Sequence, residues 1–419
     1  MEKKTAIVLG GTVPHAALID KLKDRGYYTI LVDYFDDPPA AKHCDLHLKD
    51  SAMDPEAVIR IAKEHDASLI LSPCLDQQMV IAVNALEQLG LYAPFDLDTV
   101  YKVTNKELMK KIMWENDIPT SKFIIVESPE QADTEGMELP LIVKPADSNG
   151  AAGVSIIRND DKEKISKAIE NAKHWSRNGK VVVEEFVTGA EVSVYNFISE
   201  GRSNILLTAQ RVSSIEEGKS IKCFCSIAPA QVSEKAKEEM QIIGDKIAKA
   251  FALDNTPMFY QCIVSGDKVS VIEFSPRMGG GLCFRTVPMY SGFDYLEAAI
   301  DSWEGKKVSA EKVSGGKNYL IHQIHGKPCT FDRLQGVEEM TGQGVIDEIH
   351  LHKWQGAEIS DEKSSSARVA AFISSDEDLY KLPDKAKKAV ENIRVIDNEG
   401  NDMSMDDLYL KKEMISKVE

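Results

Sequence analysis

The sequence lacks the features of a membrane or secreted protein. No stretch approaches the roughly 20 consecutive apolar residues that span a bilayer, so we expect no transmembrane helix. The apolar run near the N-terminus stops at Gly10–Gly11, too soon for the core of a signal peptide. The seven cysteines are odd in number and scattered, which favours free thiols in a reducing cytosol over a disulfide framework. We therefore expect a cytoplasmic protein.

Positive charge is also scarce. The chain has 67 acidic and 50 basic residues and a net charge of −17, which argues against nucleic acid or an anionic membrane as the main partner. A local basic site for a small phosphorylated ligand is compatible with that balance. The 419 residues are 43% apolar, enough for two or three domains around a large core.

The first hundred residues alternate strands and helices. The expected strands are 5–9, 28–32 and 68–72, and the expected helices are 16–25 and 54–65. Asp54 as N-cap and Pro55 at the first helical position mark the second helix. This order predicts a doubly wound parallel α/β domain over residues 1–100. Gly10–Gly11 and Asp33 resemble part of a dinucleotide fingerprint, but the full G-x-G-x-x-G is absent, so a dehydrogenase is a weak alternative.

A second region begins near residue 104, where Thr104 can cap a helix that runs through Asn116. Strands are predicted at 123–126, 139–146, 153–158, 181–186, 191–198 and 204–210, a hairpin at 258–275, and helices at 161–174 and 233–252. Strands dominate again after residue 302, with a helix near 376–392. We therefore expect two further domains, 101–302 and 303–419.

The first candidate site lies in LIVKPADSNGAAGVSII, residues 141–157. Lys144 sits in a strand otherwise made of Leu, Ile and Val, and a buried ammonium needs an anion. The small and polar loop that follows, with Ser148, Gly150 and Gly153, can turn backbone N–H groups toward a ligand. Lysine and loop together predict a phosphate site. The structural alternative is a lysine that reaches solvent beside an exposed hairpin.

A second candidate site is the stretch VVVEEFVTGAE, residues 181–191. An apolar strand that ends in a short connector, Glu184–Val187, can offer backbone donors and acceptors to a flat heteroaromatic ring. Glu191 could then accept hydrogen bonds from ribose hydroxyls. Taken alone, the pattern fits an edge strand ending in solvated acids better.

The third candidate site is the hairpin that ends in VIEFSPRMGGG. Glu273 and Ser275 share a face of its second strand. Gln261, on the first strand, joins that face only if the loop is odd; a two-residue loop pairs it with Ile272 instead. Gln261, Glu273 and Ser275 together would offer Mg²⁺ the oxygen ligands that it prefers. Arg277 could bind a phosphoryl group or a carboxylate through two hydrogen bonds.

In their order along the chain, these motifs resemble the ATP-grasp superfamily. Its members include biotin carboxylase, carbamoyl phosphate synthetase, glycinamide ribonucleotide synthetase and the L-amino acid ligases. The resemblance covers about residues 1–300. It implies a mixed α/β and α+β protein: the parallel domain, an ATP-grasp fold whose two α+β lobes clasp ATP, and a strand-rich C-terminal region that completes or caps one lobe.

The resemblance also implies an activity, an ATP-dependent ligase that activates a carboxylate as an acyl phosphate and joins it to an amine. The cofactors would be ATP and Mg²⁺ or Mn²⁺, and a homodimer would be possible. The implied nucleotide-binding residues are Lys106, Lys144, Ser148, Gly150, Gly153, Glu184, Glu185, Phe186, Val187 and Glu191.

The metal motif of the family is usually E-x-N-P-R, but here Ser275 replaces the asparagine, and Gln261 stands where glutamate is common. By the same resemblance, Arg277 would hold the acyl phosphate together with Lys144, and Arg285 would bind a substrate carboxylate. A surface position for Arg285 is an equal alternative.

Two other activities stay open at this point. The chain could resemble carbamoyl phosphate synthetase or glycinamide ribonucleotide synthetase in its substrates. It could also be a regulatory protein that binds nucleotide and has lost turnover through its altered metal site. The paired histidines of H-x-x-H at 322–325 and H-x-H at 350–352 have no neighbouring acid pattern, so we predict no metal site there.

Overall fold

A computed structural model describes residues 4–147, 153–214, 222–310, 315–359 and 367–415. Ser148 and Gly150, both predicted to contact phosphate, lie outside the described residues. The described strands are β1 (Thr5–Leu9), β2 (Tyr28–Val32), β3 (Leu46–Leu48), β4 (Ala67–Leu71), β5 (Phe123–Val126), β6 (Leu141–Pro145), β7 (Ser155–Ile157), β8 (Val181–Glu185), β9 (Ala190–Ser199), β10 (Arg202–Ser214), β11 (Lys222–Ala228), β12 (Thr256–Ser265), β13 (Lys268–Ser275), β14 (Asn318–His325), β15 (Cys329–Gln335), β16 (Glu348–Leu351), β17 (Glu358–Ile359), β18 (Arg368–Asp376) and β19 (Arg394–Asp397).

The described helices are α1 (Val13–Asp24), α2 (Pro55–Glu64), α3 (Asp76–Leu89), α4 (Leu97–Thr104), α5 (Lys106–Glu115), α6 (Lys162–Trp175), α7 (Glu234–Ala250), α8 (Cys283–Ser291), α9 (Tyr295–Trp303), α10 (Val337–Gly342) and α11 (Leu382–Asn392). None of these described helices is both long and apolar enough to cross a membrane.

The N-terminal sheet is parallel, as predicted, with strand order β3-β2-β1-β4. Every residue of β1 is buried, which fits a parallel strand covered on both faces. Asp54 caps α2 as predicted, because its side chain accepts hydrogen bonds from the N–H groups of Glu56 and Ala57. The carboxyl ends of β1 and β4 lead directly into α1 and toward α3, so the loops at this edge face the rest of the chain.

The predicted cap at Thr104 is wrong. Asn105 caps α5, since its side-chain oxygen accepts from the N–H groups of Glu107 at 3.0 Å and Leu108 at 3.2 Å. Thr104 instead ends α4, and its hydroxyl donates to the carbonyl of Val100 at 2.8 Å. The prediction missed α4, and a threonine inside a helix bonds back to the preceding turn rather than capping the next helix.

Two antiparallel sheets form the middle of the chain. The smaller has the order β5-β8-β6-β7, and the larger has eight strands in the order β13-β12-β9-β10-β11-β14-β18-β16. Three strands of the larger sheet come from residues 318–376, so the C-terminal region continues the sheet that residues 190–275 begin. The domain boundaries near 100 and 302 stay predictions.

Helix α7, predicted as 233–252, packs on the large sheet through an apolar face. Ser233 accepts a hydrogen bond from the N–H of Ala236 and so begins the helix. The buried side chains include Ala236, Met240, Ile243 and Ile247. This face joins a core that is continuous with the N-terminal sheet, so the two sheets hold fixed positions relative to each other.

Candidate functional site

The β12–β13 hairpin, which carries the predicted metal residues, places Gln261 opposite Glu273, as the predicted site requires. A β-bulge, which was not predicted, produces this register. The turn of the hairpin is a two-residue loop, because Ser265 pairs with Lys268. That loop alone would pair Gln261 with Ile272. A bulge at Ile272 shifts the ladder by one residue, so that Gln261 pairs with Glu273. Gln261 and Glu273 are therefore direct cross-strand neighbours.

Arg277 and Ser275 both bind a carboxylate that the sequence analysis missed, that of Asp76. Arg277 donates through Nε to Oδ1 and through Nη2 to Oδ2, each at 2.6 Å. Ser275 Oγ donates to Oδ1 at 2.7 Å. Asp76 is the first residue of α3, just beyond the carboxyl end of β4, and an acid in that position is the signal that could have been followed.

The charge of Arg277 decides the protonation of this pair. Burial alone would raise the pKa of Asp76, but the guanidinium of Arg277 and its hydrogen bonds lower it below its ordinary value. Lys106 adds to this effect. Lys106, Glu273, Ser275 and Arg277 line one small cavity of about 20 Å³ with Asp76, so four predicted site residues are brought together.

The surroundings differ between the glycines that follow Arg277. A side chain at Gly279 would place its Cβ 2.5 Å from Cε1 of Tyr195, so packing against that ring excludes any larger residue there. Gly280 faces open space, since no atom lies within 4 Å of its hypothetical Cβ. The backbone at Gly280 is therefore open to the approach of a ligand.

Lys144 is paired with an acid of the chain itself, Glu184, and its predicted contact with phosphate stays a prediction. The carboxylate of Glu184 accepts from Lys144 and, at 2.7 Å, from Lys110. Lys110 is 1% exposed and Glu184 is 4% exposed, so this is a buried cluster. Burial would raise the pKa of Glu184, but the charges of Lys144 and Lys110 lower it to about 2. The side chain of Glu184 thus neutralises and orients the two buried lysines.

Lys110 was not predicted, because a lysine in a surface helix is ordinarily solvated. Here its ammonium also donates to the hydroxyls of Thr120 at 2.9 Å and Ser121 at 3.1 Å. Thr120 in turn donates to the carbonyl of Val271 on β13. This chain of contacts joins the lysine cluster to the strand that carries Glu273.

The connector after β8 packs between neighbouring segments. The N–H of Glu185 donates to the carbonyl of Lys122 at 3.0 Å, and that of Phe186 donates to the carbonyl of Pro140 at 2.8 Å. Val187 follows at the end of this connector, and the predicted contacts of all three with adenine stay predictions. Gly153, beyond the phosphate loop, has φ of +71°, and a Cβ there would lie 2.9 Å from the Trp175 ring.

Glu191 belongs to a second polar cluster, organised by Arg211. Arg211 Nε lies 2.7 Å from Glu191 Oε1. Both polar atoms of the Gln261 amide have hydrogen-bond partners in one orientation of the group. Its nitrogen then donates to Glu273 Oε1 at 2.9 Å, and its oxygen accepts from Arg211 Nη1 at 3.2 Å. The predicted ribose and metal residues are therefore neighbours through an arginine that the sequence analysis did not single out.

Residues 137–286 match the ATP-grasp domain family. This segment of the chain is therefore similar to an ATP-grasp domain. The matched segment contains Lys144, Glu184, Glu191 and the whole hairpin with Gln261 and Glu273, whereas Lys106 and Asp76 lie before it.

Curated relatives extend the similarity beyond the ATP-grasp domain. Phosphoribosylamine–glycine ligase of Streptomyces coelicolor is 24% identical over 411 residues, which cover 92% of this chain and 95% of that protein. The carbamoyl phosphate synthase large chain of Methanosarcina acetivorans is 23% identical over 300 residues, which cover 66% of this chain and 28% of that protein.

Solved structures show the same fold over nearly the whole chain. The L-amino acid ligase from Bacillus licheniformis has a TM-score of 0.79 at 17% identity and covers 95% of this chain and 100% of its own. Phosphoribosylglycinamide synthetase from Anaerococcus prevotii has a TM-score of 0.74 at 18% identity, with the same coverage. These likenesses confirm the predicted fold class, with a parallel N-terminal sheet and an ATP-grasp fold.

The residues predicted to bind metal fit one ion that also contacts a nucleotide better than an ion held by protein ligands alone. Among the described residues no three His, Cys, Asp or Glu side chains converge in a way that could hold a metal. The Gln261 amide nitrogen donates to Glu273 and its oxygen accepts from Arg211. Ser275 donates to Asp76. The joint role of Gln261, Glu273 and Ser275 as metal ligands stays a prediction. Mg²⁺ is commonly held by one or two carboxylates, with phosphate oxygens and water completing its shell.

Arg285 contacts a different acid, Glu348, outside these clusters. It donates to Glu348 on β16 through Nε at 2.9 Å and Nη2 at 2.6 Å, and its side chain is 44% exposed. Glu348 also contacts His350 at 3.1 Å. The role of Arg285 as a carboxylate receptor stays a prediction, and its surface ion pair gives the alternative more weight.

Proposed function

We propose that this chain is an ATP-dependent ligase that activates a small carboxylate, such as that of an amino acid, as an acyl phosphate and joins it to an amine. The observation that carries the proposal is the cavity in which Lys106, Glu273, Ser275 and Arg277 meet at the end of β13. The class of activity, an ATP-dependent C–N ligase, is borne out by the ATP-grasp match and the named relatives.

The proposed reaction has two steps. A carboxylate oxygen bonds to the γ-phosphorus of ATP while the bond from that phosphorus to the bridging oxygen breaks, which releases ADP. The amine nitrogen then bonds to the carbonyl carbon, and phosphate leaves with one oxygen of the original carboxylate. The nitrogen loses a proton that the departing phosphate can accept.

The residues of the site would act on the charge of these groups. Lys106 and Lys144 would face phosphate oxygens, and Glu184 holds Lys144 in place through a buried ion pair. Glu273 and Gln261, with Ser275, would hold Mg²⁺ or Mn²⁺ against the nucleotide. When bound, that ion neutralises charge on the phosphates. Arg277 would hold the acyl phosphate in place of Asp76, whose carboxylate marks where its guanidinium receives an anion.

Phosphate release from ATP tests the proposal. We expect release only when a carboxylate and an amine substrate are both present, with amino acid pairs as the first panel. Glu273→Gln should lower kcat at least about tenfold. Even the loss of a residue that only orients a metal ligand typically lowers activity by about 10- to 100-fold. The matched control is Glu391→Gln on α11, whose carboxylate pairs only with Lys387 at 3.7 Å among the described residues.

A variant Glu273→Gln with unchanged turnover would overturn the metal assignment. ATP binding without phosphate release under every substrate pair would favour the alternative of a regulatory nucleotide-binding protein. Glycine with a phosphoribosylamine is the second candidate pair, because the relative of that name aligns along 92% of this chain.

We also infer a cytoplasmic location and a homodimer. All seven cysteines are free thiols, which suits a reducing compartment. The biotin carboxylase domain of a Hydrogenobacter thermophilus 2-oxoglutarate carboxylase, with a TM-score of 0.76, forms a dimer in complex with MgADP and bicarbonate. Sedimentation of the full chain tests the dimer.

A further inference from the structure

A large cleft separates the N-terminal sheet from the C-terminal strands. It has a volume of about 780 Å³, within the range of small-molecule sites. One wall is α1 with the segment after β2, and the other is formed by β15, α10 and the residues that follow β16. Its apolar lining includes Val13, Ala16, Phe284, Phe331, Val337 and Trp354.

One wall of the cleft leads back along the chain to Arg277. Phe284 lies in the first turn of α8, shortly after the glycines that follow Arg277, and Cys283 donates its S–H to the carbonyl of Gly279 at 2.8 Å. On the opposite wall, Val13 begins α1, close after the carboxyl end of β1. The wall at Phe284 is therefore connected to Arg277 by a short segment that contains the three glycines.

Within the part of the chain that the structure describes, the charged groups that line the cleft are paired, with one exception. His43 contacts Asp20 at 2.8 Å, Lys42 lies 3.5 Å from Asp37, and Asp332 binds Arg333. Lys353 has no carboxylate within 4.0 Å among the described residues; its ammonium reaches only the carbonyl of Glu358, at 3.5 Å. Burial lowers the pKa of Lys353. A half-buried ammonium without a counter-charge is suited to receive an anionic ligand group.

Beside Lys353 the cleft presents aromatic rings. The ring of Trp354 lies 6.0 Å from that of Phe35, which in turn lies 4.2 Å from Tyr34. Phe35 and Tyr34 are 45% and 66% exposed, so the three rings form a partly exposed aromatic cluster next to the cleft. The cleft thus combines an ammonium that has no carboxylate partner among the described residues with a broad apolar and aromatic surface.

We infer that this cleft binds the non-nucleotide substrate, and that this substrate joins an anionic group to a large apolar or aromatic side chain, as aromatic amino acids do. The anionic group lies at Lys353 and the side chain lies against Trp354 and the apolar lining. The inference rests on the proposed ligase function, since it names the substrate class of that enzyme.

Direct binding of L-tryptophan tests the inference, with a non-hydrolysable ATP analogue present and absent and glycine as the small comparison ligand. We expect L-tryptophan to raise the melting temperature and to bind more tightly than glycine. Lys353→Met and Trp354→Leu should each weaken its binding at least about tenfold, because each removes a central contact. Lys387→Met, at a position of α11 that is 54% exposed and does not line the cleft, should leave its binding unchanged, and binding of the ATP analogue should be unaffected in all three variants.

The inference is overturned if L-tryptophan does not bind, if it binds no better than glycine, or if both cleft variants bind it as the unmodified chain does. The two hypotheses can fail separately. Phosphate release with glycine but not with aromatic amino acids would keep the ligase and reject this substrate class. Binding of L-tryptophan that the cleft variants abolish, without phosphate release by any substrate pair, would keep the binding site and reject the ligase.

Discussion

At the residue scale, the site depends on carboxylates that hold cations in place. Glu184 lies between Lys144 and Lys110, and Asp76 lies against Arg277. In each case an acid of the chain itself keeps a cation oriented where the sequence alone predicted a ligand anion. Charges removed from water need such partners, because an unpaired buried charge costs several kcal/mol, about 3–5 when one partner of a pair is deleted.

Glu184 gives a prediction in two parts. Glu184→Gln should destabilise the fold by about 3–5 kcal/mol, because it leaves two buried ammonium groups without their anion. Urea unfolding at pH 7 measures this loss. Glu163→Gln, whose exposed carboxylate pairs with Lys167 in α6, is the matched control and should change the free energy of unfolding by less than about 1 kcal/mol.

The same carboxylate predicts a pH dependence. The pKa of Glu184 is lowered in the folded state from 4.5 to about 2. Its ionisation therefore stabilises the fold above the unfolded pKa, and that contribution is lost as the pH falls from about 4.5 through about 2. Glu184→Gln should lose less stability than the unmodified chain over that interval. Parallel slopes for the two proteins would contradict the assignment.

At the element scale, a β-bulge in the β12–β13 hairpin and the N-cap of α5 determine where the site residues lie. Neither feature was predicted from the sequence. The two-residue turn of the β12–β13 hairpin would separate Gln261 from Glu273, and the bulge at Ile272 brings them together. Asn105 rather than Thr104 begins α5, which places Lys106 at the first helical position. Lys106 thereby stands at the edge of the cavity that holds Glu273 and Arg277.

Two substitutions test whether Asn105 or Thr104 caps α5. Asn105→Ala should cost about 0.5–2 kcal/mol in the free energy of unfolding, because two N–H groups of α5 lose their acceptor. Thr104→Ala is the control and should cost no more than about 0.5 kcal/mol. A larger loss for Thr104→Ala than for Asn105→Ala would restore the original prediction.

At the scale of the whole molecule, an ion network fixes the N-terminal sheet against α9. Arg25 donates to Glu297 at 2.9 Å, to Asp301 at 2.8 Å and to Glu304 at 2.6 Å. Tyr27 also donates to Glu304. Because α1 and α3 approach the ATP-grasp site from this sheet, the network helps to set the position of Asp76 and of the cleft.

Arg25→Met tests the network. We expect a loss of about 1–2 kcal/mol, between the value of a surface pair and that of a fully buried one, since the Arg25 side chain is 18% exposed. Lys306→Met is the control, because Lys306 contacts Glu304 at 2.7 Å but is 60% exposed. Thermal unfolding of both variants at low and high salt measures the difference. An equal loss in the two variants would show that the buried position of Arg25 contributes nothing.

The sequence by itself determined the local elements and the types of residue at the site. Strand and helix patterns gave the parallel N-terminal sheet and α7, and the buried lysine of β6 and the ending of β13 pointed to phosphate and metal chemistry. Those inferences follow from periodicity and from the cost of burying charge, both of which act within short stretches of chain.

Only the tertiary structure decided which groups meet. Asp76 is 199 residues from Ser275 in sequence, and Lys110 and Arg211 approach the site from other elements. The cleft at Lys353 and Trp354 likewise arises between segments that are far apart along the chain. Contacts of this kind depend on the packing of whole sheets and on a single bulge in the ladder, and no local pattern in one sequence encodes them.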